Sequence, residues 1–294
     1  MFISNKVTLL VMTEKGLAFL TEALENYRSV IEAVIIGQDS SVINDFSADI
    51  YELCTRYGVP ACYRSGEFEI KTEYAMAISW RWLIKHPENK LIVFHDSLLP
   101  RYRGFAPLVN ALINGETKVG VTALFGAADY DRGDIIAQAS ISVDYPATIN
   151  EMIGKITACY IDLGKIVLKS IMAGKSPIAH AQDSDKATYS LWLDENDYKI
   201  NWDSSASEIR RKIDAVGFPY KGAYCFVDDV KYRIFSAEEI PDVAIENRDA
   251  GKVIFIEQGS PVVVCGSGLL LIKACTSEEG VSLLPLKKFR LRFT

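Results

Sequence analysis

Short uninterrupted apolar runs recur through the first hundred positions, with helix-patterned stretches between several of them. The runs are residues 7–12, 31–37, 59–63, 74–79 and 91–94, and residues 16–27 and 47–57 carry the helical spacing. A strand that is apolar on both faces needs cover on both, and a parallel sheet wrapped by helices supplies it. An α/β domain with a mostly parallel sheet is therefore predicted. Its first strand-to-helix turn, Met12-Thr13-Glu14-Lys15-Gly16, holds a single glycine. A pyrophosphate needs Gly-x-Gly-x-x-Gly there for close backbone approach, so no dinucleotide site is expected. No Walker-type loop occurs either.

Further on, residues 105–113 read as a helix ending near Asn114-Gly115, and residues 120–125 and 135–143 as strands. Thr148 and Glu151 are spaced as a capping box before a long helix closed by Gly174 and Pro177. Residues 180–188 are a polar connector. The pattern then changes. An amphipathic helix, residues 205–216, leads into short strand-like runs at 223–227, 231–235, 253–256, 262–264 and 269–274. Short strands with Gly and Asp turns predict a small β-barrel-like domain. The expected division is residues 1–190 and 205–294.

With 294 residues, 49% of them hydrophobic, the chain can bury a large core and a small one. The net charge of −6 is uneven: residues 201–294 hold 13 Lys and Arg against 13 Asp and Glu, so the acidity lies in the first 200 residues. Broad attraction to nucleic acid is not expected. The six cysteines form no Cys-x-x-Cys pair and have no metal-ligand spacing with a histidine. Buried free thiols in a reducing cytoplasm are the expectation. No signal-peptide pattern and no membrane-length apolar run is found.

The densest chemistry lies where the run at 91–94 stops. His95, one of three histidines, is followed by Ser97, Leu98, Leu99, Pro100, Arg103, Gly104 and Pro107, and a second loop carries Asp131 and Gly133. The carboxyl end of a buried strand is where open α/β sheets bind ligands, and a His–Asp pair there suits proton transfer or oxyanion stabilisation.

This pattern resembles the folate-dependent formyltransferases, whose loop reads Asn-x-His-x-Ser-Leu-Leu-Pro-x-x-Arg-Gly-x-x-Pro and is followed by Asp-x-Gly. Asn114-Gly115-Glu116, Gly120-Val121-Thr122, Ile200-Asn201-Trp202 and the segment from Phe218 to Tyr224 fit the same family. The resemblance implies a Rossmann-like formyltransferase domain, a smaller OB-like β-rich domain, and 10-formyltetrahydrofolate as formyl donor. It gives His95 and Asp131 catalytic roles, His95 donating to the oxyanion and Asp131 orienting the ring and relaying the amine proton. Ser97, Leu98, Leu99 and Pro100 are expected to shape the folate pocket through backbone groups. Arg103 and Gly104 are expected at the substrate, with the alternative that Arg103 fixes the loop itself. No metal is required. One departure stands out: the family asparagine falls on Val93. Losing such a donor costs on the order of 10²–10³ in rate, and Asn110 is the candidate replacement.

Trp80 and Trp82 either line the pterin pocket or pack the core, and His86 is expected in solvent. The basic residues from Lys287 to Arg292 are either a phosphate contact or an edge strand. The charge balance favours a nucleotide-linked amino sugar as acceptor over methionyl-tRNA, which needs a clustered basic surface. A non-catalytic folate- or nucleotide-sugar-binding homologue is the reading of another class. A homodimer is plausible from the exposed edges of the β domain.

Overall fold

In the computed structural model, which describes residues 2–40 and 42–294, the apolar runs become strands. In chain order the elements are β1 (Ile3–Val11), α1 (Thr13–Tyr27), β2 (Ile31–Ile36), α2 (Ser47–Arg56), β3 (Ala61–Tyr63), β4 (Thr72–Ile78) and β5 (Leu91–His95). Then come β6 (Arg103–Gly104), α3 (Pro107–Ile113), β7 (Lys118–Phe125), β8 (Ile135–Ser142), α4 (Ile149–Met172) and β9 (Tyr189–Ser190). The last are α5 (Ala206–Ala215), β10 (Ala223–Val227), β11 (Val230–Ile240), β12 (Val253–Glu257), β13 (Ser260–Val264) and β14 (Leu269–Ser277). They form two units. One comprises the residues up to Leu108, Lys118–Val143 and Met152–Leu191; the other comprises Val109–Thr117, Asp144–Glu151 and Trp192–Thr294.

The first unit is built on a seven-stranded sheet in the order β3-β2-β1-β4-β5-β7-β8. Strands β1 to β5 pair in parallel, whereas β7 runs antiparallel to β5, and β8 to β7. The chain order reverses between β1 and β4, the switch point beside which doubly wound sheets bind ligands. Leu9, Val34, Met76 and Ile92 are completely buried on successive strands. The Thr148–Glu151 box forms in both directions and starts α4.

The second unit holds a five-stranded antiparallel sheet in the order β10-β11-β14-β13-β12. The tail joins its two edges. Phe226 and Thr294 exchange backbone bonds on the β10 side, while Gly251 bonds with Phe293, and Val253 with Leu291, on the β12 side. Phe293 is 1% exposed and meets Trp202 edge-on at 5.6 Å. The tail thus links the two edges through isolated bridges at Arg292 and Phe293. Arg292 is paired with Asp249 at 2.9 and 2.6 Å, and Lys288 with Asp228 at 3.3 Å.

Several boundaries differ from the sequence reading. β1 starts at Ile3 because pairing with Thr72, not burial, orders its first residues. α3 starts at Pro107, not at residue 105, because proline disfavours helix in the residue before it and Phe105 donates to the Ser190 carbonyl instead. β11 continues to Ile240 through an acidic, exposed second half that no apolar alternation marks. His86 is half-buried and bonded to the Glu73 carbonyl at 2.9 Å, not solvated. Trp80 packs on Leu10, Ile35 and Ala75, and the Arg64 guanidinium lies 4.2 Å from the Trp82 ring. All six thiols are free, and Cys62 is the one not fully buried. Among the described residues, no helix is long and apolar enough to cross a membrane.

Candidate active site

His95 is the last residue of β5, registered against Thr122 of β7. Its ring is 8% exposed, and both nitrogens face acceptors. Nε2 donates to the Tyr102 carbonyl at 2.7 Å, and Nδ1 lies 3.4 Å from Asp131 Oδ1. Tyr102 and Asp131 both have left-handed backbone, with φ of 58° and 56°. Each such residue costs about 1–3 kcal/mol and persists where its surroundings over-determine it, commonly at functional sites.

Those surroundings form a small network. The second oxygen of Asp131 accepts from the Gly104 amide at 2.8 Å, so one carboxylate holds both the imidazole and the loop. Gly104 is required there: its φ is +100°, and a Cβ would come within 2.7 Å of the Ser190 carbonyl oxygen. A Cβ on Gly133 would meet the Phe125 carbonyl oxygen at 1.8 Å, so the Asp131 turn also closes only with glycine.

Gln182 ties the two loops together. Its amide nitrogen donates to the carbonyls of Asp131 and Gly133 at 2.7 and 2.8 Å, and its oxygen accepts from Arg103 Nη2 and Nε at 2.7 and 3.1 Å. The polar connector delivers it: His180 pairs with Ile135 through two backbone bonds, and Thr188 and Ser190 bond the loop at Arg103 and Phe105. Neither periodicity nor a motif marked Gln182 in the sequence.

The expected site residues thus fall into distinct roles. His95, Asp131 and Gly104 are brought together. Arg103 is 2% exposed and bonded to Gln182 and Tyr189, contacts that tie its guanidinium to the connector. Arg103 and Arg132 together hold the Tyr189 phenol below its ordinary value.

The backbone of Ser97, Leu99 and Pro100 is largely engaged within the protein. Thr122 Oγ1 donates to the Ser97 carbonyl and accepts from the Leu99 amide, Gln138 bonds the Leu99 carbonyl, and Thr188 bonds that of Pro100. Ser97 Oγ donates to the Arg101 carbonyl at 2.7 Å. Leu99 packs against Leu124, Ile135 and Val93, and Leu98 lies over Gly120. These groups are tied together through their own backbone bonds, which fixes the shape of this segment. Val93 shares the His95 face by strand alternation and is part of that packing. Asn110, half-buried in α3, belongs to the second unit, whereas His95 and Asp131 belong to the first.

Two family models match: the formyl transferase domain over residues 67–159 and the formyl transferase C-terminal domain over residues 193–286. The chain belongs to the formyl transferase family. The first match contains the whole His95 loop and Asp131, while Gln182 lies between the two matches. By sequence the chain is 30% identical over 212 residues to a methionyl-tRNA formyltransferase of Syntrophomonas wolfei, covering 72% of this chain and 66% of that one. It is 31% identical over 215 residues to the one from Geobacter sulfurreducens, covering 72% and 64%. The match therefore spans just under two thirds of these relatives. By fold it resembles a sugar 3N-formyl transferase crystallised with dTDP and 5-N-formyl-THF, with TM-score 0.69, 18% identity, and 91% and 97% of the two chains covered. It also resembles an N-formyltransferase from Helicobacter canadensis in complex with folinic acid and dTDP-3-aminofucose, with TM-score 0.67, 17% identity, and 93% and 99% covered.

Proposed function

We propose that this formyltransferase moves a formyl group from 10-formyltetrahydrofolate to the amine of a nucleotide-linked amino sugar. The observation that carries the reading is the buried His95–Asp131 pair at the end of β5, locked to the Gly104 loop. The donor fits the groups present: His95 Nε2–H is now turned to a carbonyl oxygen, the same kind of acceptor as a formyl oxygen. The folate supplies an electrophilic formyl carbon. His95 donates to the oxygen on which charge gathers, in place of its bond to Tyr102. Asp131 keeps the ring oriented through Nδ1 and takes up the proton the attacking amine gives away, and that proton passes to the folate nitrogen as its bond to the formyl carbon breaks. The segment from Ser97 to Pro100 bounds the donor's side of the site.

Support for a sugar acceptor comes from charge and from likeness of fold. A nucleotide sugar needs a few cations, whereas tRNA needs many clustered ones. Residues 201–294 are neutral overall, and Arg292 and Lys288 of the tail are paired with carboxylates. The two fold relatives, crystallised with dTDP or a dTDP-sugar, align along nearly their full length. Methionyl-tRNA is the second reading, favoured by the names of the sequence relatives. The test is a panel of nucleotide amino sugars incubated with 10-formyltetrahydrofolate, with N-formyl product detected by mass. Turnover of one sugar supports the proposal. Folate and sugar binding without turnover would instead support the non-catalytic homologue.

A further inference from the structure

The backbone on both sides of His95 is held by the same two helices. Before it, Phe94 stacks on Tyr160 of α4 with centroids 5.7 Å apart and planes 17° apart, and meets Phe19 of α1 edge-on at 5.7 Å. After it, both carboxylate oxygens of Asp96 are used: Oδ1 accepts from the Tyr160 hydroxyl and Oδ2 pairs with the Lys15 ammonium. Lys15 is 9% and Tyr160 1% exposed.

Stability alone is a poor reason for this arrangement. Lys15 stands in the first turn of α1, where the helix dipole disfavours a cation. A buried ion pair gains little over apolar residues of the same volume. What two partners on different helices do provide is a fixed position for the carboxylate between them. Burial, and then the Asp96 charge, push the Tyr160 phenol well above its ordinary value, so it stays an O–H donor.

We propose that Lys15, Asp96 and Tyr160 form a buried clamp whose role is to position His95, which lies directly between the two clamped residues; the proposal rests on the formyl-transfer reading above. The three act as positioning residues through the end of β5. Rates are sensitive to such placement, a shift of about 1 Å costing on the order of 10²-fold.

Two variants test it. Tyr160→Phe removes one hydroxyl and keeps the ring on Phe94. Lys15→Met with Asp96→Asn removes both charges together and strands neither. Each is measured for kcat and KM and by carbon-13 NMR of histidine-labelled protein. The chain has three histidines, and His95→Gln assigns the signal of interest. In both variants kcat is expected to fall about tenfold or more, with KM within about twofold. The His95 signal is expected to shift or broaden while those of His86 and His180 stay in place. The clamp is overturned if kcat is unchanged in folded protein, if KM rises alone, if the His95 signal does not move, or if all three signals move together. Should the unaltered protein formylate no acceptor, the functional reading fails by itself, and the histidine signals still decide the clamp.

Discussion

One carboxylate, Asp131, connects the imidazole of His95 to the amide of Gly104, and the site depends on those atoms being held together. His95→Ala and Asp131→Asn are each expected to lower formyl transfer by at least ~10², the usual scale of lost acid–base assistance, with the far-ultraviolet spectrum unchanged; near-normal kcat in either would remove that residue from the mechanism. Gln182 is expected to matter without touching substrate. Gln182→Ala leaves a buried guanidinium and two loop carbonyls without their partner, at about 2–3 kcal/mol. Urea unfolding should show that loss together with reduced kcat, and an unchanged midpoint would mean water replaces the amide. The grouping of His95, Asp131 and Gly104 was legible in the sequence because two short segments match a family pattern. Gln182 was not, because its role arises only when a connector some fifty residues away along the chain pairs with β8. Arg103 shows the same limit: spacing identified it, and only burial shows which way the guanidinium turns.

At the scale of elements, strands were legible where apolar runs were continuous, and their ends were not. The second half of β11 is acidic and exposed and is ordered by its partner β14. The alternating charge of the tail fits a phosphate contact and an edge strand equally, and backbone pairing with both edges of the second unit's sheet is what the structure shows. Phe293→Ala is therefore expected to cost about 3–5 kcal/mol, the range for emptying a buried aromatic site. A loss below about 1 kcal/mol in chemical denaturation, on the scale of an ordinary surface substitution, would show that the tail is dispensable to the sheet.

For the whole molecule, composition constrained the account most through charge and cysteine. Burial pushes the Cys54 thiol up to about 11, and those of Cys265 and Cys275 up to about 12. Native protein treated with an aromatic disulfide reagent near about pH 8 should thus react first at half-buried Cys62, the remaining thiols appearing only on unfolding, because the thiolate is the reactive form. Rapid reaction of several thiols would contradict the packing described. The charge distribution bears on the acceptor. An acidic first part and a neutral second part provide no broad field for RNA, and the tail arginine nearest the sheet is already paired. The most direct measurement is a competition: a nucleotide-linked amino sugar and methionyl-tRNA supplied together with 10-formyltetrahydrofolate, with initial rates followed over a range of salt. Faster formylation of the sugar, with a shallow salt dependence, is the predicted result. Faster formylation of methionyl-tRNA, falling steeply with salt as multiple phosphate contacts require, would contradict it.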